Sequence, residues 1–262
     1  MDAPPVAVVT GAARGIGAAT VHRLATEGWR VVAVDRCHDD PALGYRLGTR
    51  DELAAVAAPY RGAVVDLPGD VRIPENLTTA VELARERFGR LDAAVAAAAV
   101  MTGGRPLWET TTADWAPMFD VGVHGMANLA RAAIPAMLAG PGPHTGRFIG
   151  IASAAAHHGM WQLSGYSAAK HAVVGLIKGL AHDLRGTGVT ATAVSPGSTR
   201  TALLTETARL YDLDAVDDFA THQLLDRILE PDEVARVVAW LCSPESAAVT
   251  GSVVHADGGF LG

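Results

Sequence analysis

Tyr166 and Lys170 stand four residues apart within a stretch of helical periodicity, Leu163 to Leu184. Four residues make about one helical turn, so both side chains share a face. A lysine cation one turn from a phenol favours phenolate and is expected to lower the phenol's pKa towards working pH. Tyr166 is thereby a candidate base for an alcohol, or acid for a ketone. Ser153 follows an apolar β-like run, Arg147 to Ala152, and precedes Tyr166 by thirteen residues. Its hydroxyl can hold a substrate oxygen beside the phenol. A tyrosine and lysine at this spacing also occur as a plain surface pair, so the elements around them carry the weight.

Those elements alternate. Val6-Ala7-Val8-Val9 reads as a buried strand. Thr10-Gly11-Ala12-Ala13-Arg14-Gly15-Ile16-Gly17 follows, then a helical pattern from Ala18 to Glu27 stopped by Gly28. Arg30 to Val34 is a second strand, closed by Asp35. Glycines let a backbone approach a ligand closely, and a helix N-terminus favours a pyrophosphate. Asp35, about 20 residues on, can accept hydrogen bonds from ribose hydroxyls. The spacing G-x-x-x-G-x-G departs from the usual dinucleotide fingerprint, so the strand–loop–helix–strand context decides for a nucleotide site. Further strands are expected at Ala63–Val65, Leu91–Ala99, Arg147–Ala152, Val189–Val194 and Ser252–His255. Helices are expected at Asp51–Ala58, Pro74–Phe88, Thr112–Leu138, Leu163–Leu184 and Pro231–Leu241. This alternation predicts an α/β fold: a single Rossmann-type domain over 1–262, with a doubly wound, mostly parallel seven-stranded sheet and helices on both faces.

The 262 residues suit one large domain with a sizeable core. With 21 basic and 28 acidic residues the formal charge is -7, and no basic cluster invites nucleic acid. Cys37 and Cys242 give neither a disulfide framework nor a zinc pattern. No apolar run reaches the ~18 residues of a membrane span, and Met1-Asp2-Ala3-Pro4-Pro5 is no signal peptide. A soluble cytoplasmic protein, with no membrane or nucleic-acid partner, is expected.

Together these motifs resemble the short-chain dehydrogenase/reductase family over essentially the whole chain. The glycine segment 10–17, Asp70-Val71, the set Ser153, Tyr166 and Lys170, Ser195-Pro196-Gly197 through Thr201, and Asp257-Gly258-Gly259 carry the resemblance. It implies hydride transfer between NAD and a carbinol or carbonyl carbon. Tyr166 would be the acid/base, Lys170 would bind ribose and tune Tyr166, and Ser153 would orient substrate. Cofactor contacts are implied at Gly11, Arg14, Gly15, Ile16, Gly17, Asp35, Arg36, Asp70, Val71, Ala97, Tyr166, Lys170, Pro196, Gly197, Thr199 and Thr201. Asp35 implies NAD over NADP, because a carboxylate repels a 2′-phosphate. Arg36 beside it tempers that preference. A homotetramer built on the 112–138 and 163–184 helices and the last strand is also implied.

The chain departs from the family at two places. Ala96-Ala97-Ala98-Ala99 stands where Asn-Asn-Ala-Gly is usual, and Gly122 where the helix carries a catalytic asparagine. The family's proton relay from lysine through water to asparagine loses its amide here. Water beside Gly122 is one replacement; a weakened enzyme, or an NAD-binding module, is the other reading.

Residues 36–50 make a connection far longer than the about 2–6 residues of a βα turn. This insertion is similar to that of mycofactocin-associated short-chain dehydrogenases. That likeness implies a non-exchanging NAD and mycofactocin as external electron acceptor. An ordinary free-NAD alcohol dehydrogenase or ketone reductase stays open beside it. His157, Trp161, Leu203 and Leu204 are expected in the substrate pocket, with Met101 near them and residues 198–228 as a lid carrying Tyr211, Phe219 and His222. So few polar candidates point to a small apolar alcohol or ketone. His157 and His158 point apart, so no metal site is expected.

Overall fold

The computed structural model describes residues 3–139 and 142–261. Met1, Asp2, Gly140, Pro141 and Gly262, all within the expected 1–262 domain, lie outside the described residues. Seven strands form one parallel sheet: β1 (Val6–Thr10), β2 (Arg30–Asp35), β3 (Val64–Pro68), β4 (Ala93–Ala96), β5 (Arg147–Ile151), β6 (Thr190–Pro196) and β7 (Val253–Ala256), in the order β3-β2-β1-β4-β5-β6-β7. Helices α1 (Gly15–Thr26), α2 (Arg50–Ala57), α3 (Pro74–Phe88), α4 (Thr112–Met118), α5 (Gly125–Met137), α6 (Ser164–Asp183), α7 (Ala202–Leu210) and α8 (Pro231–Cys242) connect them.

Alternating strand residues explain the two layers. Val6, Val8, Val32, Val34 and Phe148 meet α3, α5 and α6 on one face. Ala7, Val9, Val31, Ala33 and Ile149 meet α1, α2 and α8 on the other. Both faces are covered, so β1, β4 and β5 are buried along their whole length, as parallel strands require. The doubly wound sheet expected from the sequence is thus what forms. The chain runs outward from β1 through β2 to β3, then returns to β4 on β1's other side. A crevice opens at the carboxyl ends where the order reverses, the usual place for a ligand.

Two expected elements differ. The strand over Leu91–Ala99 is confined to Ala93–Ala96. The Thr10 hydroxyl accepts from the amides of Ala97 (3.2 Å) and Ala98 (3.4 Å), which turns the chain out of the ladder. The helix over Thr112–Leu138 is broken. Pro117 cannot donate to the preceding turn, and Phe119–His124 forms a π-helical turn between α4 and α5. The Gly125 amide closes it by donating to Asp120 O. Such turns often sit beside functional sites. The irregular 196–227 stretch contains α7 and a short 3-10 segment, Val216–His222.

Candidate active site

The first loop exists because two glycines let it exist. Gly11 holds φ at 66°, and a Cβ there would lie 2.7 Å from the Ala98 backbone. A Cβ on Gly17 would lie 2.0 Å from Gly11 O. Only hydrogen at both positions permits this crossing, which leaves an open cradle at the N-terminus of α1. Asp35 ends β2 beside that cradle. Its carboxylate accepts from the amides of Ala13 (3.0 Å) and Cys37 (3.2 Å), with lone pairs left over.

The cleft above the sheet has a cavity volume of about 440 Å³. Every residue expected to hold the cofactor lines it, from Gly11 and Asp35 to Thr199 and Thr201. Ser153, Tyr166 and Lys170 meet on its floor. Ser153 sits just past β5 in extended backbone and caps the turn Ala154–Ala156, accepting from Ala155 N at 3.1 Å. Ser153 stands close enough to the Tyr166 hydroxyl to lower its pKa. Lys170 Nζ donates to Ile151 O at 2.9 Å and stands 5.7 Å from the Tyr166 ring centre. Two of its ammonium protons remain for a ligand.

The electrostatics run against one expectation. Burial pushes the Tyr166 phenol up, and Ser153 only partly offsets it. Lys170 is itself buried, and burial pushes it down to about 8. Desolvation therefore outweighs the cation in this cleft, and Lys170 does not bring Tyr166 down. Gly122, in the π-helical turn, faces open space: a Cβ there would meet nothing within 4 Å.

The insertion crosses the cleft. The Tyr45 hydroxyl accepts from Met101 N at 2.9 Å, and Arg14 donates to Arg46 O at 2.7 Å. Leu47 and Gly48 line the cavity between these ties. At the insertion's root, Arg36 pairs with Asp40 and with Asp70 (3.4 Å), and Arg72 pairs with Asp40 (2.9 Å) and Asp70 (2.6 Å). The Ala42 amide, then Arg36 and Arg72, hold the Asp40 carboxyl below its ordinary range. Burial opposes ionisation of Asp70, but Arg72 overcomes it and holds that carboxyl low too.

Trp161, Leu203 and Leu204 line the other end of the cleft, together with Met101, Tyr211, Phe219 and His222. His157 does not. It is exposed, packs 4.7 Å from His255 and faces away, because Ala156 rather than His157 turns into the core. Sequence reasoning missed Tyr45 as a tie and Phe260 as a lining residue. Only the Gly258-Gly259 pair hinted that the tail turns back.

A family model described as Enoyl-(Acyl carrier protein) reductase matches residues 11–261. (-)-trans-Carveol dehydrogenase of Rhodococcus erythropolis is 34% identical over 269 residues, covering 97% of this chain and 96% of the relative. The chain belongs to the short-chain dehydrogenase/reductase family. An A-factor type gamma-butyrolactone 1'-reductase of Streptomyces virginiae is 37% identical, over 97% of this chain and 95% of the relative. Among solved structures, carveol dehydrogenase from Mycobacterium avium in complex with NAD superposes with a TM-score of 0.91 at 32% identity, covering 98% of this chain and 97% of that one. A short-chain dehydrogenase from Mycobacterium paratuberculosis bound to NAD gives 0.86 at 30% identity, with 97% of both chains covered. This member of the short-chain dehydrogenase/reductase family is an oxidoreductase. Among its described residues no helix is long and apolar enough to cross a membrane.

Proposed function

We propose that this enzyme transfers a hydride between a small apolar alcohol or ketone and an NAD that stays bound, with mycofactocin as external acceptor. The observation that carries the reading is one cleft with Ser153, Tyr166 and Lys170 on its floor and Asp35 at its far end. NAD fits the residues present. Hydrogen at Gly11 and Gly17 lets the loop cross close to the Ala98 backbone and to its own Gly11 carbonyl, and the amides of 15–17 it presents at the start of α1 suit a pyrophosphate. Asp35 keeps acceptor capacity for ribose hydroxyls. Arg36 is committed to Asp40 and Asp70, so it is not spare for a 2′-phosphate, and NAD is preferred over NADP. Bound NAD would supply the hydride acceptor or donor.

The chain's own residues manage the oxygen and its proton. Ser153 Oγ and Tyr166 Oη, close enough for the serine to affect the phenol's pKa, can both reach a carbinol or carbonyl oxygen set between them. In reduction Tyr166 gives its phenolic proton to the carbonyl oxygen; in oxidation it acts as the phenolate, its own proton having left to solvent, and receives the carbinol proton. Lys170 Nζ, anchored on Ile151 O, turns its remaining protons towards ribose hydroxyls. The open space beside Gly122 supports an ordered water in place of the family's amide. Met101, Leu203 and Leu204 keep the substrate end apolar, and residues 198–228 serve as its lid. The likeness to the family favours a homotetramer.

The ties at Tyr45 and Arg46 support slow cofactor release, since contacts that must break first act on the off-rate. The test is purification without added nucleotide, denaturation, and identification of what is released. NAD is the expected product. Turnover of apolar alcohols is then expected with a diffusible artificial acceptor and not with free NAD. Sustained NADH release into solution would return the enzyme to the free-NAD class.

A further inference from the structure

The tail after β7 does not leave the molecule. Gly258 and Gly259 hold φ at 64° and 76° and turn the chain back onto the lid. A Cβ on Gly259 would sit 2.7 Å from Leu224 Cδ1, so glycine is what allows the approach. Leu224 N donates to Gly259 O (2.9 Å), Leu225 N to Gly258 O (3.1 Å), and Leu261 N to His222 O (2.9 Å). Gln223 and Phe260 are antiparallel partners in this small ladder. Phe260 lines the cleft that holds Tyr166. Its ring stands 6.2 Å from His222 and 5.6 Å from His158. His222 stands 5.9 Å from the buried Phe219.

We propose that Phe260, delivered by the C-terminal tail, is the fixed end wall of the substrate pocket and sets the upper size limit of the alcohol. The proposal rests on the reading that the cleft takes an apolar alcohol. No step of the proton or hydride chemistry needs a ring at this position, so its function there is shape. A side chain on a free loop would swing aside for a larger ligand. Phe260 sits on backbone held by three hydrogen bonds, and its ring is braced between His158 and His222. Displacing it means opening the ladder, so it acts as a stop. The preferred substrates are apolar alcohols short enough to end at this wall.

The experiment uses the full-length protein with its nucleotide bound, as wild type, Phe260→Ala, Phe260→Leu and Phe260→Trp. Dissociation constants for cyclohexanol and 4-phenylcyclohexanol are measured by calorimetry, and kcat/KM for both with an artificial acceptor. Phe260→Ala should shift the preference towards 4-phenylcyclohexanol by about tenfold or more, the usual scale for added room in an apolar pocket. Phe260→Leu should shift it less, and Phe260→Trp in the opposite direction. Nucleotide content should be unchanged in all four. A preference within twofold of wild type in every variant overturns the proposal, as does failure of wild type to bind either alcohol. Binding without turnover overturns the proposed chemistry alone, because the ratio of dissociation constants still reports on Phe260.

Discussion

At the Asp35 end of the cleft, two arginines and two aspartates, Arg36, Asp40, Asp70 and Arg72, lock together. At the other end stand Trp161, Tyr211, Phe219 and Phe260, with ring centres 5.6 Å apart for the first pair and 6.1 Å for Tyr211 and Phe219. The charged end draws its residues from just past two neighbouring strands, β2 and β3. The aromatic end draws them from segments as distant as 161 and 260. Charge in a half-buried place needs partners at fixed distance, so the first end is specific and stiff. Apolar contacts are non-directional, so the second can be rebuilt with different rings and still close. The difference teaches where this enzyme can change its substrate without losing its cofactor.

The largest effect should come from the floor between the two ends. Tyr166→Phe removes the proton carrier and should lower turnover about 10²–10⁴-fold while leaving bound nucleotide in place. Stopped-flow reduction of the resident cofactor is the measurement. Turnover within a few-fold of wild type would place the proton transfer on another group.

Lys170 offers a thermodynamic handle. Burial holds it at about 8, below the 10.5 of an unfolded lysine. Between those values the unfolded chain keeps a proton that the folded chain has lost, so stability rises with pH. The slope for one group is about 1.4 kcal/mol per pH unit. The window is about pH 7.5 to 8.5, before the unfolded thiols lose most of their protons. Above it Cys37, Cys242, Tyr45 and Tyr211, all pushed up by burial, release protons later in the folded state and pull the other way. Urea unfolding across that window should show the rise in wild type without nucleotide and lose it in Lys170→Met. Equal slopes in both would mean that Lys170 titrates as an exposed lysine.

Tyr45→Phe tests whether the two ends are coupled. It keeps the ring and removes the acceptor for Met101 N. One hydrogen bond is worth about 1 kcal/mol, so release of bound NAD should quicken roughly fivefold, read by exchange with labelled NAD. An unchanged rate would leave the ion pairs at Asp40 as the tie that holds the insertion down.

The smallest effect is expected at Gly122, in the π-helical turn. Gly122→Asn meets no atom within 4 Å at its Cβ and replaces the poorest ordinary helix former, for a gain of roughly 0.3 kcal/mol. Thermal unfolding should rise slightly, with turnover intact or improved. A large destabilisation would show that the turn needs glycine for its shape.

Local order was legible because it is written in neighbouring residues. The continuous burial of β1 and β2, the glycines of the first loop and the Tyr166–Lys170 spacing follow from strand and helix geometry alone, and so did the alternation that makes the sheet parallel. The break at Pro117–His124 was not read, because one proline and one glycine do not outweigh a long helical period until tertiary packing chooses between them. The pKa of Tyr166 was read with the wrong sign. Spacing reports the nearby cation, but only burial decides what that cation is worth. His157 was placed in the pocket by proximity in sequence to Ser153, and a single turn, Ala154–Ala156, sent it to the surface. Tyr45 and Phe260 lie far from Met101 and His222 along the chain. Their contacts exist only once the sheet has brought its carboxyl ends together, since hydrogen bonds and ring packing act over a few ångströms and sequence carries no such distance.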